Sequence, residues 1–459
     1  MKSVWPSLPA RVVAPRRLPK QPEPPKIKVL HVITRFVAGS GGNTLVSAVD
    51  IDRDRYETWV AGMPGGPLWE QAEAAGVRTV HLSHMRERIS PLHDVLTCLE
   101  LVRLMRRERF SVVHTHSAKA GVSGRVAAKV AGVPVVVHTF HALAAHPGLS
   151  PRARLVYLLL ERAVRRLAHR YVAVAPRLAR QAVEQKIAPP GTVVVVPSAV
   201  DLDHIPVSAD PEVRAELGIP EDVPVVGTVG RLVAQKCPLD FVRMCSLVHA
   251  QRPDARFVMV GDATLETGDL EDLTRREAER LGVPVIFTGY RKDAPRVAAA
   301  FDVYVVPSLY EGLGRAVTEA MAAARPVVAT AVNGVPDLVE PGVTGLLAAP
   351  QDPEGLASAV MWMLDHPVEA RQMGLQARQR VLSHFGREEM CHGLDELYAE
   401  LLGLPAPAEP AQASQNGRAE HVPHLLPASA AQNGRQWDNP PIDVPSLRRR
   451  PEAEAVEHT

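Results

Sequence analysis

Short apolar runs rich in β-branched residues alternate along this chain with longer stretches in which apolar residues recur every three to four positions. The short runs predict strands, and the longer stretches predict amphipathic helices. Strand candidates are 27–33, 58–61, 78–82, 111–115, 133–138, 170–174, 193–196, 224–229, 255–260, 284–287, 302–306 and 326–329. Helix candidates are 94–107, 119–131, 152–168, 237–251, 270–281, 315–323 and 354–364.

Strands that alternate with helices predict parallel βαβ units, in which helices cover both faces of each sheet. Twelve strands are more than one ordinary open sheet contains. The stretch 197–220 is rich in Pro and Asp and weakly periodic, as expected for a boundary between domains. We therefore predict an α/β protein with two doubly wound, Rossmann-like domains at 26–200 and 201–385. Residues 1–25 and 404–459 carry much Pro and few large apolar side chains, so they predict disordered tails.

Composition narrows the functional class. The 459 residues have a formal net charge of +1, which argues against a dedicated nucleic-acid binder. The four cysteines show no paired spacing, as expected for reduced thiols in the cytoplasm. No apolar run reaches the roughly 18 residues of a membrane span. The segment 150–170 combines leucines with arginines, so it predicts either a peripheral contact with anionic lipid or a surface helix packed on its own sheet.

Ligands of open parallel sheets bind beyond the carboxyl ends of the strands, so the residues after each strand matter most. Strand 302–306 is followed by Glu311, by the turn Gly312-Leu313-Gly314 and by a helix that carries Glu319. Free amides at a helix start bind phosphate oxygens, and carboxylates accept hydrogen bonds from hydroxyl groups. The segment therefore suits a ligand that has both groups, such as a sugar nucleotide.

Two cations follow strand 224–229 in the sequence Gly230-Arg231-Leu-Val-Ala-Gln-Lys236. Arg offers a planar fork and Lys a mobile point charge, so the pair can bind a diphosphate. After strand 326–329, Gly334 brings a further backbone segment to the same edge.

A glycine-rich turn follows the first strand and contains Gly39, Gly41 and Gly42. It suits a phosphate at a helix start or a plain tight turn. The spacing is not GxGxxG, which argues against a nicotinamide site. The repeated acidic pattern of Asp50-Ile-Asp52-Arg-Asp54 is interpreted as a solvated loop, since Asp is common in turns.

Histidines follow two neighbouring strands, namely His114, His116, His138 and His141, with His146 further on. Metal binding and structural hydrogen bonding are both open, although no Cys or carboxylate completes a metal set. Because it follows a strand end, His141 is the best candidate to face a ligand, with a phosphate or a sugar hydroxyl as its partner.

These residues resemble glycosyltransferase family 4, whose members are retaining enzymes of the GT-B fold, over roughly 26–402. The resemblance rests on Gly230-Arg231…Lys236, on Pro307-Ser308…Glu311-Gly-Leu-Gly…Glu319-Ala-Met and on Gly334-Val-Pro. The stretches around His116 and His141 are similar to a bacterial branch that builds polysaccharides or lipid-linked glycans.

The resemblance implies a role for each matched residue. Arg231 and Lys236 would bind the donor diphosphate, Glu319 the ribose, and Glu311 with the amides of 312–314 the donor sugar. His141 would contact sugar or phosphate, and the glycines 39–42 would cover the diphosphate and admit the acceptor. A last helix at 386–403 would cross back onto the first domain.

The implied donor is a nucleotide-diphosphate sugar, UDP- or GDP-linked, used as substrate without a separate cofactor and without a metal. The implied acceptor is a carbohydrate or a lipid-linked sugar. Two alternatives stay open: a GT-B sugar-nucleotide epimerase, and a non-enzymatic nucleotide-sugar binding or scaffold protein.

Overall fold

The computed structural model describes residues 25–407 apart from 38, 201, 203–204 and 264–267. The predicted tails at 1–25 and 404–459 therefore lie outside the described residues, except for residue 25 and residues 404–407.

The described strands form two parallel sheets that follow one another along the chain. The first has seven strands in the order β3-β2-β1-β4-β5-β6-β7. Its strands are β1 Ile27–Arg35, β2 Tyr56–Met63, β3 Arg78–His81, β4 Val112–His116, β5 Val135–Phe140, β6 Arg170–Ala173 and β7 Val193–Val195.

The second sheet has six strands in the order β10-β9-β8-β11-β12-β13. Its strands are β8 Val225–Val229, β9 Arg256–Val260, β10 Val285–Gly289, β11 Val303–Val306, β12 Val327–Thr330 and β13 Leu346–Ala348. The central strands β4, β5, β11 and β12 are buried along their whole length, as expected for sheets covered on both faces.

Helices connect nearly all of the strands. In the first half they are α1 Ser40–Val49, α2 Leu68–Ala74, α3 Pro91–Glu108, α4 Ala118–Ala131, α5 Pro151–Val164 and α6 Pro176–Glu184. In the second half they are α7 Pro211–Glu216, α8 Pro238–His249, α9 Gly268–Leu281, α10 Ala294–Ala298, α11 Arg315–Ala322, α12 Val335–Leu338, α13 Pro353–Asp365, α14 Pro367–His384 and α15 Arg387–Leu402. Within the described residues, no helix is both long and apolar enough to span a membrane.

The strand order reverses beside the first strand of each sheet. β1 lies between β2 and β4, and β8 lies between β9 and β11. Such a reversal leaves a crevice at the carboxyl ends of the strands, where α/β proteins bind ligands. The residues that follow β1, β4, β8 and β11 therefore occupy the two positions best suited to hold a ligand.

The last helix, α15, returns to the first sheet. Its buried residues Met390, Leu394 and Tyr398 share one hydrophobic cluster with Val29 and Val112. This helix corresponds to the last helix that the family resemblance implies at 386–403.

The predicted fold class is confirmed, because both sheets are parallel and doubly wound. Each predicted strand is present within about two residues of its expected bounds. Strand β13 and helix α14 are absent from the sequence-based candidates, as are the shorter helices α2, α6, α7, α10 and α12.

Candidate active site at the interdomain cleft

Glu311 lies at the centre of a buried polar cluster in the loop that follows β11. Its Oε1 atom accepts hydrogen bonds from Nζ of Lys236 at 2.5 Å and from the Ser308 hydroxyl at 2.7 Å. Its backbone N–H donates to Oδ1 of Asn333 at 3.0 Å. The carboxylate is 6% exposed, so these contacts offset the cost of burying its charge.

The segment that carries both predicted cations is attached to the same loop. Lys236 ends a short 3₁₀ turn, Ala234–Lys236. Inside this turn Gln235 donates from Nε2 to the carbonyl of Tyr310 at 3.0 Å and accepts the Leu309 amide at 2.8 Å. Lys236 therefore occupies a defined position beside Glu311.

A cavity opens beside this cluster at the carboxyl ends of β8 and β11. Its lining includes Gly230, Arg231, Lys236, Pro307 and Ser308. The Arg231 side chain is exposed. The cavity thus has two cations in its lining and lies next to the buried carboxylate, which accepts from Ser308.

Helix α11 begins at the glycine turn that the sequence singled out. Gly314 precedes the helix with a φ of 97°, a conformation that glycine adopts without strain. The Leu313 side chain belongs to the hydrophobic core, so its backbone is the part that can face a ligand. In the helix, Nε of Arg315 donates to Oε1 of Glu319 at 2.8 Å.

The two domains contact one another directly at this site. Gly312 lies against the backbone carbonyl of His141, where a Cβ atom would overlap that oxygen. Gly42 likewise lies against the Arg315 guanidinium. The rings of His146 and Tyr310 stack at a centroid distance of 4.0 Å.

A further contact between the domains lies at Gly334, where a Cβ atom would overlap the side chain of Ala175. Within the second domain, the Gly334 amide donates to the carbonyl of Gly312 at 2.9 Å. Asn333 next to it donates from Nδ2 to Oε1 of Gln181 at 3.1 Å. Of the predicted residues, Gly42 and His141 of the first domain are thereby brought to one cleft with Gly312 and Gly334 of the second. Gly41 instead packs on Phe36 and Leu68 of its own domain.

The predicted histidines form a hydrogen-bonded cluster under the cleft. His141 follows β5, and its Nε2 lies 3.0 Å from Nδ1 of His116. Nε2 of His116 in turn lies 3.0 Å from Nδ1 of His31. Burial lowers the pKa of His141 to about 4 and that of His31 to about 3, because a low-dielectric environment disfavours the charged ring. These rings are therefore neutral near pH 7.

Ring nitrogens of His31, His114 and His116 lie within 4.8 Å of one another, close enough to surround an ion. Both nitrogens of His114 are already hydrogen-bonded, at 2.5 Å to the Tyr398 hydroxyl and at 2.6 Å to Thr139. Both nitrogens of His116 are engaged with the neighbouring histidines. Structural hydrogen bonding accounts for these contacts, and the expected lack of a metal in the reaction stays a prediction.

Two family models match the chain, one in each half. Residues 50–204 match a model described as Glycosyltransferase Family 4, and residues 223–366 match a model described as Glycosyl transferases group 1. The chain is 30% identical over 391 residues to D-inositol 3-phosphate glycosyltransferase of Geodermatophilus obscurus, covering 77% of this chain and 85% of that protein. The chain belongs to glycosyltransferase family 4.

A second relative of this glycosyltransferase is similar along almost its whole length. UDP-Gal:alpha-D-GlcNAc-diphosphoundecaprenol alpha-1,3-galactosyltransferase of Escherichia coli is 28% identical over 384 residues, covering 82% of this chain and 98% of that protein.

Solved structures agree on the fold. Anabaena HepE in complex with UDP and glucose superimposes with a TM-score of 0.70 at 22% identity, covering 82% of this chain and 100% of that chain. Sucrose-phosphate synthase from Thermosynechococcus elongatus gives 0.68 at 23% identity, with 82% and 99% coverage. The two Rossmann-like domains thus have the GT-B arrangement.

The glycosyltransferase carries further cleft residues to which the sequence assigned no role. Ser308, Arg315 and Asn333 contact the predicted Glu311 or Glu319, and Tyr310 stacks on His146. In the sequence, Ser308 stands out only as part of the motif Pro307-Ser308…Glu311, and Asn333 only as a small polar residue before Gly334. The acidic loop behaves as expected, since Oδ1 of Asp52 accepts the amide of Asp54 at 2.9 Å in a local turn.

Proposed function

We propose that this glycosyltransferase transfers a hexosyl group, with retention of configuration, from a nucleotide-diphosphate sugar to a hydroxyl of a glycan acceptor. The observation that carries the proposal is the buried Lys236–Glu311–Ser308 cluster beside the cavity of Gly230 and Arg231. It combines diphosphate-binding cations with a carboxylate suited to sugar hydroxyls.

The cations act on the leaving group. Breaking the bond between the anomeric carbon and the phosphate leaves negative charge on the nucleoside diphosphate, which Arg231 and Lys236 stabilise. One preorganised donor of this kind contributes roughly 10²–10³ in rate. The two side chains supply the positive charge that a metal ion supplies elsewhere, so the proposed reaction is independent of metal. The donor, UDP- or GDP-linked, is a substrate and no separate cofactor takes part.

The carboxylates bind hydroxyl groups rather than transfer protons. Oε1 of Glu311 accepts from Lys236 and Ser308, while its Oε2 has no partner among the described residues. That second oxygen is available to the donor sugar, beside the backbone amides of 312–314 and Gly334. Glu319 would bind the ribose, with Arg315 orienting it through the 2.8 Å ion pair.

The acceptor hydroxyl attacks the anomeric carbon from the face that the diphosphate leaves, so the configuration is retained without an enzymic nucleophile. A donor phosphate oxygen takes the proton of the acceptor hydroxyl. The contacts between Gly312 and His141 and between Gly42 and Arg315 favour a cleft that excludes water, which would otherwise compete as acceptor.

The acceptor is proposed from the relatives. The Escherichia coli relative is named for a UDP-galactose donor and a GlcNAc-diphosphoundecaprenol acceptor. The proposed acceptor class is therefore a lipid-linked sugar in cell-surface glycan synthesis, presented at the cytoplasmic face of a membrane. A free carbohydrate is the alternative acceptor.

Binding and transfer assays test the proposal. A panel of UDP- and GDP-sugars identifies the donor by thermal shift, since a ligand at 100 times its Kd stabilises the fold by about 2.7 kcal/mol. We expect Arg231→Ala and Lys236→Ala to lower kcat at least about a hundredfold. Arg243→Ala, which removes a half-exposed cation of the same domain, is the matched control.

Each contrary outcome has a distinct meaning. Wild-type transfer in both cleft variants would reject the site. An epimerised sugar nucleotide after incubation of donor without acceptor would replace transfer with epimerisation, and donor binding without any turnover would leave a binding protein.

A surface on α5 suits a membrane that presents such an acceptor. Leu155 and Leu159 are each 54% exposed, and Val156 and Leu160 are exposed beside them. Arg152 and Arg154 precede them and are also exposed. Apolar side chains with flanking cations match an anionic bilayer. We propose that this surface contacts the membrane peripherally within 150–170.

Co-sedimentation with phosphatidylcholine vesicles, with and without phosphatidylglycerol, tests this contact. The double variant Leu155→Ser/Leu159→Ser should weaken binding to the anionic vesicles at least about tenfold, since each buried leucine contributes roughly 1.5–3 kcal/mol. Leu375→Ser/Leu382→Ser on α14 alters two leucines of similar exposure, 50% and 48%, and should leave binding unchanged. Equal loss in both variants, or none, would contradict the proposal.

A further inference from the structure

Three histidines form a hydrogen-bonded chain from the middle of the first sheet to the cleft. His31 lies in β1, His116 ends β4, and His141 follows β5. The two N···N distances, from His31 to His116 and from His116 to His141, are both 3.0 Å. The rings stack nearly in parallel, with interplanar angles of 22° and 27°.

The hydrogen bonds that link these three rings can run in only two directions. A neutral imidazole carries one N–H and one acceptor nitrogen, and each N···N contact holds one hydrogen. Either every ring donates towards His141, whose Nδ1 then carries a hydrogen, or every ring donates towards His31, whose Nε2 then carries it. The lowered pKa values of these buried rings keep them neutral, so a charged ring that donates in both directions is disfavoured.

The two ends of the chain differ in their surroundings. Nε2 of His31 and Nδ1 of His141 are both buried without a hydrogen-bond partner among the described residues. His31 is fully buried inside the sheet, where an N–H without an acceptor is especially unfavourable. His141 is half-buried, and its backbone carbonyl lies against Gly312 at the cleft. Of the two ends of the chain, its Nδ1 is therefore the one that lies near a position where an oxygen of a bound ligand can accept.

We propose that His31 and His116 are positioning residues that hold His141 in its Nδ1–H tautomer, so that His141 presents a hydrogen-bond donor to the cleft. His116 donates from Nδ1 to Nε2 of His141 and occupies the lone pair there. Neither nitrogen of His141 is then free to take the proton of the hydroxyl that receives the sugar. Its ligand is a group with an acceptor oxygen, and under the proposed function this is an oxygen of the sugar nucleotide.

The tautomer can be measured without substrate. In the full chain labelled with [15N]histidine, two-bond 1H–15N correlation spectra distinguish a protonated Nδ1 from a protonated Nε2. The signal of His141 is identified by its loss in His141→Gln. We expect protonated Nδ1 in the wild type. A protonated Nε2 in the wild type would overturn the proposal, whether or not the protein transfers sugar.

Variants along the chain separate positioning from packing. His116→Phe removes the donor to Nε2 of His141, so the His141 signal should move towards the Nε2–H form and kcat should fall about tenfold, the equivalent of one hydrogen bond. His116→Asn places an amide N–H at the position of Nδ1 and should restore the Nδ1–H signal and most of kcat.

The remaining variants keep the test decisive. His31→Phe, at the far end, should produce a mixture of both tautomers at His141. His84→Phe removes a partly exposed histidine bound to Glu100 and should change neither readout. An unchanged His141 tautomer in His116→Phe, with folding verified by its melting curve, would show that the chain is packing alone.

Discussion

At the scale of single residues, glycines decide how closely the two domains approach. Gly312 has no side chain where the carbonyl of His141 lies, and Gly334 has none where the side chain of Ala175 lies. These close contacts join the loops after β11 and β12 to the first domain. The close approach of the two domains therefore depends on glycine at these positions, in addition to the charged side chains of the cleft.

Gly312→Ala tests this dependence. Its φ is not in the left-handed region, so the added methyl acts only through its overlap with the carbonyl of His141. Each domain keeps its own core, and we expect a folded protein whose kcat/KM falls about a hundredfold, as for a misplacement of roughly 1 Å at a reacting centre.

A matched change is available at Gly386, where a Cβ would meet no atom within 4 Å. Gly386→Ala should retain wild-type kcat/KM, with melting curves recorded for both variants. Full activity in Gly312→Ala would mean that the contact between Gly312 and His141 is dispensable.

The chemistry-bearing side chains of the candidate site could be proposed from the sequence, but several of their partners could not. Charged residues after strand ends are conspicuous, and the structure brings Lys236 and Glu311 into contact. Ser308 and Asn333 are ordinary loop residues whose contacts depend on how two loops fold against each other. Such tertiary contacts leave no periodic pattern in the chain.

At the scale of elements, the misses also have physical causes. β13 has only three residues, with the sequence Leu-Leu-Ala and no β-branched side chain. α14 buries a narrow seam of mostly small residues, in which Gly374 packs against the backbone of Ala324. A small-residue seam has little of the large apolar periodicity by which amphipathic helices are found.

Helix α5 shows how an element with an exposed apolar face is anchored. Arg125 of α4 donates to Glu161 at 2.6 Å in a buried ion pair, and its guanidinium also contacts Tyr171. This pair attaches the carboxyl half of the helix to the domain. Leu155 and Leu159 are left exposed on the helix, which is the arrangement a peripheral membrane contact needs.

At the scale of the whole molecule, α15 links the end of the second domain to the first. Its Asp395 is 5% exposed and accepts hydrogen bonds from Tyr56 at 2.5 Å and from Arg55 at 3.1 Å. The junction between the domains packs on the same helix, since the amide of Ala199 donates to the sulfur of Met390. The relative position of the domains therefore depends on how firmly α15 is held.

Asp395→Ala tests that attachment. The change leaves the Tyr56 hydroxyl and the Arg55 guanidinium without their acceptor, and an unsatisfied buried group of this kind costs about 1–3 kcal/mol. Because Arg55 is partly exposed, we expect the free energy of unfolding to fall by about 2 kcal/mol, seen as a fall of several degrees in the melting temperature.

Glu400→Ala on the same helix is the control, since it removes an exposed ion pair with Arg170 and should lower the free energy of unfolding by less than about 1 kcal/mol. If Asp395→Ala melts no lower than Glu400→Ala, the hydrophobic face of α15, with Leu394 and Tyr398, holds the helix without help from its buried carboxylate.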